Sequence, residues 1–201
     1  MSRWRATPVQ LLVLLAGLWL FGAGEGLLVE SELGNSPWTV LAEGVTDQTG
    51  VNIGTTTVAI SFLVLAMWIP LRERPGLGTI LNAVVVGVAL GVTVELLPDA
   101  EGVPLRAAEV VAGIALVAVG SGLYLTTRLG AGPRDGLMLG LHRRTGVSVR
   151  LVRTTIESAA VIVGFALGGT VGLGTLAFAL GIGPAVQVAL GAMSSTPAHE
   201  L

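Results

Sequence analysis

The chain has 201 residues, 52% of them hydrophobic and only 12% charged, with a formal net charge of −2. Soluble globular chains carry about 25% charged residues, so this composition, with a mean hydropathy of +0.82, excludes an ordinary soluble fold and predicts an all-α integral membrane protein. There is no cysteine, which excludes disulfides, thiolate catalysis and Cys-ligated metals.

Arg3 and Arg5 precede an apolar run and then small residues, the outline of a signal peptide. Residues from about 17 to 33 have counterparts at 113 to 129, however, so a retained first helix is expected over about 7–29. A membrane-spanning helix needs roughly 20 mainly apolar residues. Five more segments fit, at about 52–69, 77–97, 106–127, 149–167 and 173–193. The fifth span is the least apolar, because it holds Arg150, Arg153 and Glu157.

All basic residues are arginines, and their placement sets the orientation. The first loop has Glu30, Glu32, Glu43 and Asp47 and no base; the second is Arg72-Glu73-Arg74. The third has Glu95, Asp99 and Glu101, with Arg106 at its edge, and the fourth has Arg128, Arg134, Arg143, Arg144 and Arg150. This alternation is consistent with six spans and both termini in the cytoplasm.

The chain is a tandem duplication. Leu33-Gly34 and Pro37 recur 96 positions on as Leu129-Gly130 and Pro133, and Gly76-Leu-Gly-Thr79 recurs as Gly172-Leu-Gly-Thr175. We read one membrane domain over 1–201, with repeat one at about 7–97 and repeat two at about 106–193. Three spans per repeat is an odd number, so the second repeat is expected to lie inverted relative to the first. Inverted repeats are a recurrent transporter plan, with binding near the midplane at discontinuous helices.

Each repeat carries a short segment beginning at Pro37 or Pro133. Ser36 is a good N-cap, Pro37 suits the first helical position, and Asp135 falls where a carboxylate complements the helix dipole. Both segments are too short to span. Each is either an interfacial helix on the surface or a re-entrant half-helix buried in protein. In the second case, two helix N-termini approach from opposite faces and form a locus that favours anions, reinforced by Arg134. Trp38 is either an interfacial anchor or a pocket wall. Thr79 and Thr175 are read as helix caps after tight turns. Gly22/Gly26, Gly87/Gly91 and Gly164/Gly168 are small-xxx-small pairs that report close helix packing.

Ionisable residues inside spans are functional suspects. Glu157 lies four residues after Arg153 on one helical face, and Arg150 is one turn away. The equivalents in repeat one are Gly54, Thr57 and Ser61, so one half supplies charge where the other supplies space. The pair is either structural or a substrate and coupling-ion site. Glu25, whose repeat partner is Ser121, is either a solvated carboxylate near the outer interface or a proton or cation site. Asn82 and Gln187 are lesser polar candidates.

No catalytic constellation can be assembled. His142 is in a loop and His199 in the tail, Ser121 has no His partner, no cluster has metal-ligand spacing, and no phosphate loop is present. The motifs GNSPWTVLAEG, PGLGTILN, LGAGPRDGLMLGL, RRTG, RTTIE and GGTVGLGT together resemble the YczE/YitT-type bacterial multi-pass membrane proteins, most closely the YczE branch, over nearly the whole chain. The resemblance implies a plasma-membrane protein of about six helices. It transfers no catalytic or binding residue. It also implies that the soluble C-terminal domain of the YitT branch, with any sensing role, is absent.

The expectation is a small secondary transporter or exporter, not an enzyme, for an anionic or zwitterionic solute. The candidate binding residues are Arg153, Glu157, Arg134, Asp135, Trp38 and Glu25, with helix breaks at Gly34, Pro37, Gly130 and Pro133. The alternative is a non-transporting scaffold or accessory subunit. The expected partners are the lipid bilayer, an unidentified solute, and either a second copy or a partner membrane protein. No cofactor, metal or nucleic acid is expected.

Overall fold

The computed structural model describes residues 3–98 and 100–194. Asp99 and His199, weighed above, lie outside them. Nine helices and no strands form among the described residues: α1 (Pro8–Glu30), α2 (Pro37–Thr49), α3 (Ile53–Ala66), α4 (Trp68–Leu71), α5 (Leu77–Leu96), α6 (Val103–Thr126), α7 (Pro133–Thr145), α8 (Val149–Ala166) and α9 (Leu173–Ser194). Five stretches are long and apolar enough to cross a membrane: Pro8–Glu30, Ile53–Leu71, Leu77–Leu96, Val103–Thr126 and Leu173–Met193. The expected fifth span forms as α8, but Arg150, Arg153 and Glu157 keep its 18 residues out of that apolar set.

Local chemistry explains the boundaries. The Thr7 hydroxyl accepts from Gln10 N–H while the Gln10 amide oxygen accepts from Thr7 N–H, a reciprocal cap at the start of α1. Asn52 caps α3 and Ser148 caps α8 at equivalent positions. Both α2 and α7 open with proline at the first helical position and run 13 residues. Each ends on a left-handed glycine, Gly50 or Gly146. α2, α3, α5 and their counterparts α7, α8, α9 all begin 96 residues apart.

Between helices the packing is glycine on backbone. A Cβ on Gly24 would sit 2.6 Å from the Gly113 carbonyl oxygen, and one on Gly17 would sit 2.9 Å from that of Gly120. Gly113 is the repeat counterpart of Gly17, and Gly120 that of Gly24. α1 and α6 therefore cross antiparallel, each presenting to the other the positions it receives. The same reciprocity pairs α2 with α8 and α3 with α7, and again α1 with α5 and α6 with α9. Its largest failure is at one seam: α3 packs along α5, but α8 does not pack along α9. The two seams differ in chemistry. At the α3–α5 seam Gly54 meets Gly87 and Gly91. The counterparts are Arg150, Gly183 and Gln187, so two long polar side chains stand where the packed seam has glycine.

Candidate functional site

A cavity of about 520 Å³ lies between the two halves, within the size range of small-molecule sites. Its walls are the start of α2 (Ser36, Pro37, Trp38), the start of α7 (Gly132, Arg134, Asp135), and faces of α1, α6, α8 and α9. All six side chains singled out from the sequence, Glu25, Trp38, Arg134, Asp135, Arg153 and Glu157, line it.

The two proline-initiated helices meet head to head. Positions 38 and 134 are repeat counterparts, and the Arg134 guanidinium lies 5.2 Å from the centroid of the Trp38 ring. Pro37 to Val40 and Pro133, Gly136 and Leu137 are buried, whereas the far ends, such as Gln48 and Arg144, are exposed. In α7 the burial is interrupted, with Arg134 half-buried and Asp135 exposed toward the cavity. Trp38 is only 7% exposed, so it is not an interfacial anchor.

Gly34 and Gly130 do not reach the cavity; they seat the approach to each short helix. With φ of +111° and +131° they occupy backbone space that favours glycine. A Cβ on Gly34 would sit 2.6 Å from Thr175 Oγ1, and one on Gly130 2.6 Å from Thr79 Oγ1. The Gly-Leu-Gly-Thr turns thus act beyond capping. The Thr79 hydroxyl accepts from Gly76 N–H and also donates across the repeats to the Ala131 carbonyl at 2.8 Å. The Pro133 carbonyl accepts from Trp68 Nε1 at 2.9 Å.

Each acid on the cavity wall already has a donor. Glu25 is 1% exposed, and its Oε2 accepts from the Ser36 and Thr39 hydroxyls, both at 2.6 Å. The solvated reading of Glu25 is therefore wrong: the carboxylate is folded under the first turn of α2, next to the positive end of that helix. This also diverts Ser36, which makes no side-chain cap bond. Asp135 accepts from the Tyr124 hydroxyl at 2.6 Å, and Glu157 accepts from Arg153 Nε at 2.8 Å, the i,i+4 pair expected from the sequence.

The donors are less well served. Arg134 makes no hydrogen bond or ion pair among the described residues, and Trp38 Nε1 is buried without an acceptor. The unmet hydrogen-bonding capacity of the cavity therefore includes two donors at its centre, one of them cationic.

Two participants were missed in the sequence. Thr39 gave no signal, being a threonine in a helical run. Tyr124 is the sole tyrosine of the chain, near the end of a mainly apolar helix, and that isolation was the available clue. Tyr124→Phe is expected to lower stability by about 1.5–3 kcal/mol, the worth of a hydrogen bond to a charged group, read as a fall in Tm of the detergent-purified protein. His142 lies away from the cavity, its Nδ1 2.7 Å from the Val147 carbonyl oxygen.

The model of a family of unknown function, DUF6198, matches residues 8–190. The chain is 43% identical over 196 residues to an uncharacterised protein of Haemophilus influenzae, covering 98% of this chain and 90% of that one. It is 30% identical over 167 residues to the uncharacterised membrane protein YczE of Bacillus subtilis, covering 82% and 78%. A third relative, the uncharacterised protein YyaS of B. subtilis, is 24% identical over 164 residues, covering 80% and 82%. No solved structure matches.

Proposed function

The chain belongs to the DUF6198 family, of the YczE membrane-protein type, and we propose that it is a small secondary transporter or exporter, not an enzyme, for an anionic or zwitterionic solute. One observation carries this: a cavity at the repeat junction whose acids are satisfied while its central guanidinium and indole N–H lack acceptors. Leaving a half-buried guanidinium without a hydrogen-bond acceptor is costly even where the Glu25, Asp135 and Glu157 carboxylates attract it. A bound carboxylate, phosphate or sulfonate would remove that cost.

In this reading α8 is the fifth of six spans, both termini are cytoplasmic in the plasma membrane, and α2 and α7 are re-entrant. The reciprocal, antiparallel packing of α1 on α6 supports an inverted relation between the repeats. The binding site then lies where the two copies meet, as in other inverted-repeat transporters. Arg153 and Glu157 form the charged wall on the open side. Exchange of the packed α3–α5 seam for a packed α8–α9 seam would turn access to the opposite face.

Topology is tested with single cysteines at Gln48 and Arg144, the exposed ends of α2 and α7, since the native chain has none to remove. A membrane-impermeant maleimide is expected to label Gln48→Cys only from outside and Arg144→Cys only from inside. Labelling from one shared face would end the inverted reading.

Function is tested by thermal-shift screening of purified protein against anionic, zwitterionic, neutral and cationic solutes, followed by uptake of any hit into proteoliposomes. Stabilisation by anionic or zwitterionic members and uptake abolished by Glu157→Gln, at unchanged protein level, is the expected result. If no solute stabilises the protein and Glu157→Gln only reduces expression, the scaffold is the better reading.

A further inference from the structure

The geometry points to a membrane-resident amphiphile with an anionic head group as the ligand, entering the cavity sideways from the lipid through the cleft between α8 and α9. This rests on the reading that the cavity binds an anionic group, and adds its source and route.

The cleft is the seam that the duplication leaves unpacked. A second void of about 250 Å³ lies along it and shares Pro37, Arg153, Glu157, Phe178, Ile182 and Gly183 with the central cavity, so the two adjoin. A Cβ added to Gly183 would meet nothing within 4 Å, whereas its counterpart Gly87 lies against Gly54 and Val58. Beyond the cleft the outer surfaces of the two helices are apolar and bare: Leu151 on α8, and Leu176 and Leu180 on α9, are all more than half exposed. In a chain embedded in a bilayer these residues face acyl chains, and the opening between them faces the same medium.

The chemistry changes along the route in the order an amphiphile needs. Arg150 and Arg153 stand on the α8 side of the cleft, where basic side chains attract anionic head groups. Phe178, Ala179 and Ile182 give the α9 side an apolar surface for a chain. Arg134 and the Trp38 indole N–H wait at the inner end without acceptors. A water-soluble anion would need the inner end but not an apolar side entrance adjoining it.

The test uses the full chain in phosphatidylcholine nanodiscs and a lysophosphatidylglycerol probe with a diazirine in its acyl chain. After irradiation, adducts are mapped by mass spectrometry. Adducts on Phe178, Ala179 and Ile182 are expected, falling at least tenfold in Gly183→Phe, which puts a ring at a position where an added Cβ meets nothing within 4 Å. Leu180→Phe, on the outer face of α9, is expected to leave them unchanged. Adducts spread evenly over exposed α9 residues and unaffected by Gly183→Phe would overturn the proposal. A second arm offers glycerol phosphate in water. If it stabilises the protein as well as the lysolipid does, and Gly183→Phe leaves that stabilisation intact, the ligand comes from water and side entry is wrong. Cleft labelling without flux of any solute would retain this route and remove the transporter. Flux of a soluble anion without cleft labelling would do the reverse.

Discussion

Gly164→Leu is expected to remove nearly all folded protein from the membrane, while Gly183→Leu leaves its amount within about twofold of the parent. A Cβ on Gly164 would lie 2.5 Å from Leu41 N, and 2.6 Å from both Leu41 Cα and the Val40 carbonyl carbon. These are backbone atoms of α2, so no rotamer change can make room. Overpacking that can relax costs about 1–3 kcal/mol; here α2 must leave α8, and with it Trp38 leaves the cavity. Helix association in lipid depends on such close packing rather than on a hydrophobic driving force. Gly183 faces open space, and substitutions without a clash cost about 0.5 kcal/mol or less. Fluorescence-detected size-exclusion chromatography reads both variants. Equal profiles would mean that α2 does not dock against α8 as described.

Arg134→Gln is expected to weaken binding of any anionic solute that stabilises the protein by about 10- to 150-fold, from the 1.5–3 kcal/mol of a charge-assisted hydrogen bond. The empty protein should behave differently. Arg134 has no hydrogen-bond acceptor among the described residues, so removing the charge relieves a desolvation cost while giving up the attraction of Glu25, Asp135 and Glu157, and the Tm without ligand is expected to change by no more than about 2 °C. A purely structural arginine would give a lower Tm instead, with no change in selectivity. Arg134→Lys should not rescue binding, since an ammonium lacks both the planar fork and the stacking on Trp38.

The membrane class, the duplication, the helix starts at Pro37 and Pro133 and the Arg153–Glu157 pair were legible in the sequence because each is a local or periodic property. Composition sets the solvent. A fixed offset of 96 forces two copies of one pattern, and i,i+4 spacing forces two side chains onto one face. The six side chains around the cavity were nameable for the same reason: charged and aromatic residues stand out in an apolar chain.

What each of them touches depended on contacts distant in sequence. Glu25 read as solvated because nothing near it in the chain shows that α2 folds back and brings Ser36 and Thr39 onto its carboxylate. Trp38 read as an anchor because its partner is 96 residues away. The open seam was decided in the same way. The sequence by itself determined that Arg150 and Gln187 replace Gly54 and Gly91. Only the tertiary structure decided the consequence: Gly54 and Gly91 fall on facing helices whose backbones touch, while α8 and α9, which carry Arg150 and Gln187, do not pack along each other and leave a void between them.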